Sequence, residues 1–196
     1  MDKIDLIFAT SNANKVSEVS QMINHSWLVF KSLHDIGYNT EIIEDGDTLK
    51  ANAAIKARTI YKETGANVFS EDTGLEVIAL DMAPGVHTAR YAGPERSADN
   101  NMDKLISSME GVEDRSARFR TYICLIWKGE EHFFEGKVNG RIGYSKSGAE
   151  GFGYDPVFIP HGYDQSFAAL DPSIKNGISH RYRAVMGMKR FFDRLA

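Results

Sequence analysis

At 196 residues, with 42% hydrophobic and 26% charged side chains, the chain has the bulk for one domain, or two tightly packed lobes, with a sizeable core. A net charge of -4 excludes the electrostatic footprint of a protein that grips nucleic acid or an acidic membrane, so any polyanion it handles is small and held by a local cluster. Cys124 is the only cysteine, which excludes an intrachain disulfide and fits a reducing compartment.

The start, Met1-Asp2-Lys3-Ile4-Asp5, lacks the basic-then-apolar pattern of a signal peptide. No apolar run nears the roughly 18 residues of a membrane span. A cytoplasmic protein is expected. Residues 4–9 read as a short buried strand, followed by Thr10-Ser11-Asn12-Ala13-Asn14-Lys15 and a helical pattern with Val16, Val19, Met22 and Ile23 on one face. A strand, a small polar loop and a helix start make an anion-site geometry, because the free N–H groups of the first turn face the ligand. An ordinary Asn/Ser cap explains the same residues. The glycines of a Walker loop are absent.

Residues 27–32 read as a second strand. An acidic turn, Glu41-Ile42-Ile43-Glu44-Asp45-Gly46-Asp47, then leads to a helix capped by Asp47 or Thr48 and ended by Gly65. Leu49, Ala53, Ala57 and Ile60 form its apolar stripe, with Asn52, Lys56 and Thr59 as a polar stripe alongside. Lys56 therefore lies at a core boundary, as a phosphate lysine or as a snorkelling one.

Residues 68–80 put Glu71-Asp72-Thr73-Gly74 between two apolar runs. Adjacent strand residues face opposite sides, so Glu71 and Asp72 share one site only if the chain leaves the strand there, which Gly74 would permit. The tetrad is either a solvated turn or a metal site. Residues 84–94 then form a Pro/Gly-punctuated loop in which Arg90 is a candidate phosphate contact and His87 is more simply an exposed side chain. Ser97 caps a helix to about residue 110. Residues 117–128 alternate strictly, and Lys128-Gly129-Glu130 turns them into a strand over 131–138. That hairpin favours a mixed sheet over a parallel one, and the apolar run around Cys124 marks the thiol as buried rather than nucleophilic.

The last third is rich in Gly151-Phe152-Gly153-Tyr154-Asp155-Pro156, where a ring on a glycine backbone offers a face for a nucleobase or simply turns into a strand with core aromatics. A final helix carries Val185, Met188, Phe192 and Leu195 as its core stripe, with His180 and Arg181 in its first turn. Cations there oppose the helix dipole, so helix stability does not explain them. Lys15, Lys56, Arg90, Lys175 and Arg181 together suit a polyphosphate. Glu44, Glu71 and Asp72 suit a hard divalent cation.

These motifs, in this order, resemble the inosine/xanthosine triphosphate pyrophosphatases over nearly the whole chain: residues 9–15, Ser70-Glu71-Asp72-Thr73-Gly74-Leu75, residues 84–93, Gly151 to Pro156, and Ile178-Ser179-His180-Arg181. The resemblance implies an α/β fold with a twisted mixed β-sheet flanked by helices, two lobes around a central substrate cleft, and one catalytic domain over 1–196. It further implies a homodimer and Mg²⁺-dependent hydrolysis of ITP, dITP or XTP to the monophosphate and pyrophosphate. Asp72 would be the proton acceptor and, with Glu44 and Glu71, hold the metal. Thr10, Ser11, Asn12, Ala13, Asn14, Lys15, Lys56 and Thr73 would meet the phosphates. Phe152, Gly153, Tyr154, Asp155, Lys175, His180 and Arg181 would bind base and sugar. One departure stands out: the family's Phe-x-Glu-Asn-Ala is Leu49-Lys50-Ala51-Asn52-Ala53 here, so a glutamate is missing at Ala51, while Asp45 follows Glu44 where a small hydroxyl residue is frequent. Two other readings share these residues, a pyrophosphatase for modified pyrimidine or methylated nucleotides and a catalytically impaired nucleotide-binding protein.

Overall fold

The computed structural model describes residues 2–195, apart from the side chain of Asn14. Strands β1 (Ile4–Phe8), β2 (Leu28–Lys31), β3 (Val68–Val77), β4 (Ser116–Trp127), β5 (Glu130–Ile142) and β6 (Phe158–Pro160) form one sheet in the order β2-β1-β3-β4-β5-β6. β1 runs parallel to β2 and β3, whereas β5 and β6 are antiparallel, so the sheet is mixed as the hairpin predicts. The helices are α1 (Ala13–Ile23), α2 (Leu49–Thr64), α3 (Ala98–Ser108), α4 (Pro172–Ile178) and α5 (His180–Asp193). Among the described residues no helix is long and apolar enough to cross a membrane.

The chain divides into two compact units. The first comprises Met1–Asp72, Thr121–Gly136 and Tyr182–Ala196, and the second Thr73–Arg120 and Lys137–Arg181. In the first unit, strand alternation sends Leu6, Phe8, Phe69, Ile123, Leu125 and Trp127 to one face of the sheet, where they meet Val19 and Ile23 of α1 and Val185, Met188 and Phe192 of α5. Ile7, Val68, Cys124 and Ile126 go to the other face, beneath Ala53, Ala54, Ala57 and Ile60 of α2. Three alanines let α2 lie close on β3, and the Ser70 hydroxyl donates to the Ala53 carbonyl. Thr48 caps α2 by accepting the Ala51 N–H at 3.1 Å, and Gly65 ends it at φ +66. Burial pushes the Cys124 thiol up to about 12, which matches its reading as a core residue. In the second unit, Leu75, Val77, Phe119, Val138, Ile142 and Phe158 pack with Met102, Leu105 and Met109.

The structure corrects four expectations. β3 runs without interruption from Val68 to Val77, so Gly74 does not bend the chain out of the strand. β5 extends to Ile142, because the added residues pair with β6. The separate helix α4, started by the Asp171 cap, precedes α5. Leu195 is 44% exposed and lies past the end of α5, so it leaves the core stripe that Val185, Met188 and Phe192 keep.

Candidate active site

An unbroken β3 separates the two acids of the tetrad. Each residue along a strand faces the side opposite to its neighbour. Glu71 therefore faces the α1 side, where its buried carboxylate pairs with Lys15 at 2.9 Å. Asp72 faces the α2 side, where its Oδ1 lies 3.4 Å from Lys56 Nζ. The same ammonium pairs with Glu44 of the acidic turn. The expected cluster of Glu44, Glu71 and Asp72 is thus two groups, Glu44 and Asp72 around Lys56, and Glu71 on Lys15.

The loop between β1 and α1 folds as its pattern predicts. Thr10 Oγ1 accepts the Asn12 N–H at 3.2 Å, and Asn12 Oδ1 accepts the Lys15 N–H at 3.3 Å, which caps α1. The Thr10 carbonyl accepts Leu33 N–H at 3.0 Å and ties the loop to the end of β2. Ser11, Asn12 and Ala13 are exposed, leaving this helix start open to an anion. Asn14 belongs to α1, and its side chain lies outside the described residues.

Around Asp72 two effects compete. Burial is the largest and raises its carboxyl above the ordinary aspartate range, and the Glu44 charge adds to this. Lys56, 3.4 Å from it, and the neighbouring Asn52 amide pull the other way without cancelling the rise. A carboxylate held in this way is a better proton acceptor than a solvated one.

In the second unit, Phe152 is 66% exposed, and the cations of Lys175 and Arg181 lie 5.4 and 5.7 Å from its ring centre. Asp155 organises this patch, accepting the Phe152 N–H at 2.8 Å and the Lys175 ammonium at 2.6 Å. Gly151, at φ +84, leaves no room for a Cβ beside the Asp155 carboxylate and Lys175. The two aromatics part company here. Tyr154 is 3% exposed, its ring is in the core and its hydroxyl donates to the Thr88 carbonyl at 3.0 Å, so Phe152 alone offers a free face. His180 stacks on Phe119 at 4.8 Å, and Arg181 is mostly buried. Gly153 is half-buried within the turn, and Thr73 is half-buried in β3. Arg90 is exposed at the end of the 3₁₀ helix Gly85–Arg90, and His87 is exposed as its plainer reading had it.

A family model described as "Ham1 family" matches residues 6–191. The dITP/XTP pyrophosphatase of Porphyromonas gingivalis is 47% identical over 187 residues, covering 95% of this chain and 96% of that protein. The chain belongs to the Ham1 family. Another relative, the dITP/XTP pyrophosphatase of Flavobacterium johnsoniae, is 44% identical over 92% of this chain and 93% of its own length. The Ham1 protein of Staphylococcus aureus superposes with a TM-score of 0.93 at 30% identity, covering 98% of this chain and all of that one. Its counterpart from Coxiella burnetii gives 0.93 at 32% identity, over 97% and 99% of the two chains.

Ham1 membership implies a divalent metal in general terms, and the residues present fit one of modest demands. Among the described residues no group of three or more His, Cys, Asp or Glu side chains is placed to cage an ion. Two carboxylates, Glu44 and Asp72, do converge on one cation, the Lys56 ammonium. Mg²⁺ needs only one or two carboxylates when substrate phosphates and water complete its shell. Sequence reasoning placed Asn52 on the polar stripe but gave it no part in the site. A mid-helix amide four residues before Lys56, among alanines, was the available signal.

Proposed function

We propose that this Ham1-family hydrolase converts the deaminated purine nucleotides ITP, dITP and XTP to the monophosphate and pyrophosphate, removing them from the nucleotide pool. The relatives named dITP/XTP pyrophosphatase support the substrate class. The chemistry rests on one observation, a half-buried carboxylate of raised basicity, Asp72, beside a lysine and a second carboxylate.

In this reading Asp72 takes a proton from a water that attacks the α-phosphorus. The P–O bond to the β-phosphate breaks, its electron pair leaves on pyrophosphate, and Asp72 then returns the proton to solvent. Lys56, and Lys15 with Thr10 to Asn14 and Thr73, meet the phosphates, and Arg90 supplies a further cation. Glu71 steadies Lys15. Mg²⁺, held by Glu44, Asp72 and the phosphates, would offset the charge that builds on the leaving group. The family resemblance also carries a homodimer, which light scattering checks.

Phe152 stacks the base, with Gly153, Tyr154 and Asp155 holding its turn and Lys175 and Arg181 beside the ring. Inosine and xanthosine carry a 6-keto acceptor where adenosine carries an amino donor. N–H donors from His180, Arg181 or the backbone pair with the keto oxygen and are left unpaired by adenine, at about 1–3 kcal/mol per buried group. Removing the ring by Phe152→Ala should raise KM about 10-fold, the effect of one lost base–aromatic stack, with kcat little changed. A steady-state comparison on dITP checks this.

The deciding experiment is pyrophosphate release from ITP, dITP, XTP, ATP, GTP and modified pyrimidine triphosphates, with and without Mg²⁺. Turnover of the deaminated purines well above ATP is expected. ATP used as well as ITP sinks the keto reading, and no turnover of any of them makes the chain a binding protein.

A further inference from the structure

β1 accompanies β3 as far as Phe69 and itself ends at Phe8. Past that point β3 would present an open edge, whose backbone groups need partners. Residues 83–88 fold back along it. The Ala83 carbonyl accepts the Val77 N–H at 3.1 Å, and Glu76 bridges to Pro84. Leu75, which is fully buried, uses a side chain instead, donating its N–H to Thr88 Oγ1 at 2.9 Å. The same hydroxyl donates to the Gly85 carbonyl at 2.6 Å, so its proton and a lone pair are both committed. The Thr88 carbonyl takes a third bond, from the Tyr154 hydroxyl at 3.0 Å.

Phe152 lies two residues before Tyr154, between Gly151 at φ +84 and Gly153 at φ +64. Glycine on both sides makes such a turn easy to form and easy to distort. The Asp155 carboxylate closes the turn on itself through the Phe152 N–H. The Tyr154 hydroxyl reaches outward instead, through Thr88 to Leu75 of β3, two residues past Thr73. Any residue at position 88 offers a carbonyl to Tyr154. The threonine hydroxyl is what fixes where that carbonyl sits.

We propose that Thr88 is a positioning residue for substrate binding, joining the turn that carries Phe152 to β3 by way of Tyr154. The inference rests on the reading above in which Phe152 stacks the base. A nucleoside triphosphate is held at two ends, base and phosphates, and its length fixes how far apart the two holds must be. A ring on a glycine-flanked turn meets that demand when the turn is tied to the strand that bears Thr73, so that less order has to be imposed on binding. Thr88 acts through Phe152 and not on the substrate.

The test measures steady-state dITP hydrolysis and melting curves for wild type, Thr88→Val, Thr88→Ser, Tyr154→Phe and Phe152→Ala. Thr88→Val and Tyr154→Phe are also made in the Phe152→Ala background. Valine matches threonine in shape without the hydroxyl, and phenylalanine keeps the buried ring of Tyr154 without its donor. Each should raise KM about fivefold, short of losing the whole stack, with kcat changed less than about twofold, the pattern of lost uniform binding. Thr88→Ser keeps the hydroxyl and should restore KM to near wild type. In the Phe152→Ala background neither substitution should raise KM further, because the ring they hold is gone. A merely structural hydroxyl would lower the melting temperature and leave KM near wild type in the folded variants. That result, a change confined to kcat, equal effects on KM with and without the ring, or failure of both variants to fold overturns the inference alone. If Phe152→Ala itself leaves KM unchanged, the base-stacking reading falls and takes the inference with it.

Discussion

Asp72→Asn is expected to lower kcat about 10³-fold, the middle of the range for losing a positioned general base, and at the same time to raise the melting temperature of the metal-free protein at neutral pH. Both follow from the same environment. Burial holds the Asp72 carboxyl above its ordinary range, so the folded state binds its proton more tightly than the unfolded chain does. Stability then falls as pH rises from the ordinary aspartate range of the unfolded chain through the raised folded value, and the full penalty is present above it. Asparagine carries no charge to desolvate and escapes that penalty. The stability advantage of the variant should be largest at neutral pH and shrink as the wild-type carboxyl becomes protonated. Thermal melts in chelator across the acid range, paired with turnover at saturating Mg²⁺ and dITP, read both effects. Near-normal turnover of the variant removes Asp72 from the reaction. A variant less stable than wild type at neutral pH means that the pull of Lys56 and Asn52 outweighs burial.

What the sequence made legible was whatever depends on local pattern. The cap at Thr48, the stop at Gly65 and the stripe Leu49, Ala53, Ala57 and Ile60 follow from helix periodicity and are observed. The exposed loop that starts α1 needs only a strand, a short polar stretch and a helix. Partner choice was not legible. Glu71 and Asp72 are neighbours in sequence, and only the continuity of β3, enforced by its pairing in the sheet, sends one to Lys15 and the other to Lys56. Phe152 and Tyr154 look alike two residues apart, yet one is exposed and the other fills the core. Alternation cannot say which of two glycine-flanked rings the tertiary packing will claim. Asn52 was visible as a polar position but not as the acceptor for the Gly46 N–H, because that turn reaches it only in the fold.

Lys56→Met should cost about 10²-fold in kcat, comparable to losing one strong charge contact in the transition state, and separates the two jobs of this lysine. Methionine keeps much of the apolar stem and removes the ammonium. Glu44 and Asp72 then lose their shared partner, and two carboxylates are left facing each other in a half-buried setting. Breaking a fully buried pair costs about 3–5 kcal/mol. With Glu44 still 35% exposed at its side chain, a loss of about 2 kcal/mol is expected, or a fall of about 6 °C in melting temperature for a chain of this size. Added Mg²⁺ should then recover more stability in the variant than it adds to wild type. In wild type a divalent cation competes with a tethered ammonium for the same two carboxylates, whereas in the variant those carboxylates have no rival. A ligand that binds only the folded state raises its stability in step with its affinity. The contrast appears in melting curves without nucleotide, in Mg²⁺ against Na⁺ at matched ionic strength. Turnover should stay low even where Mg²⁺ has restored the melting temperature, because the phosphates still lack their lysine. If Mg²⁺ shifts the variant no more than it shifts wild type, Glu44 and Asp72 are not the carboxylates that hold the metal.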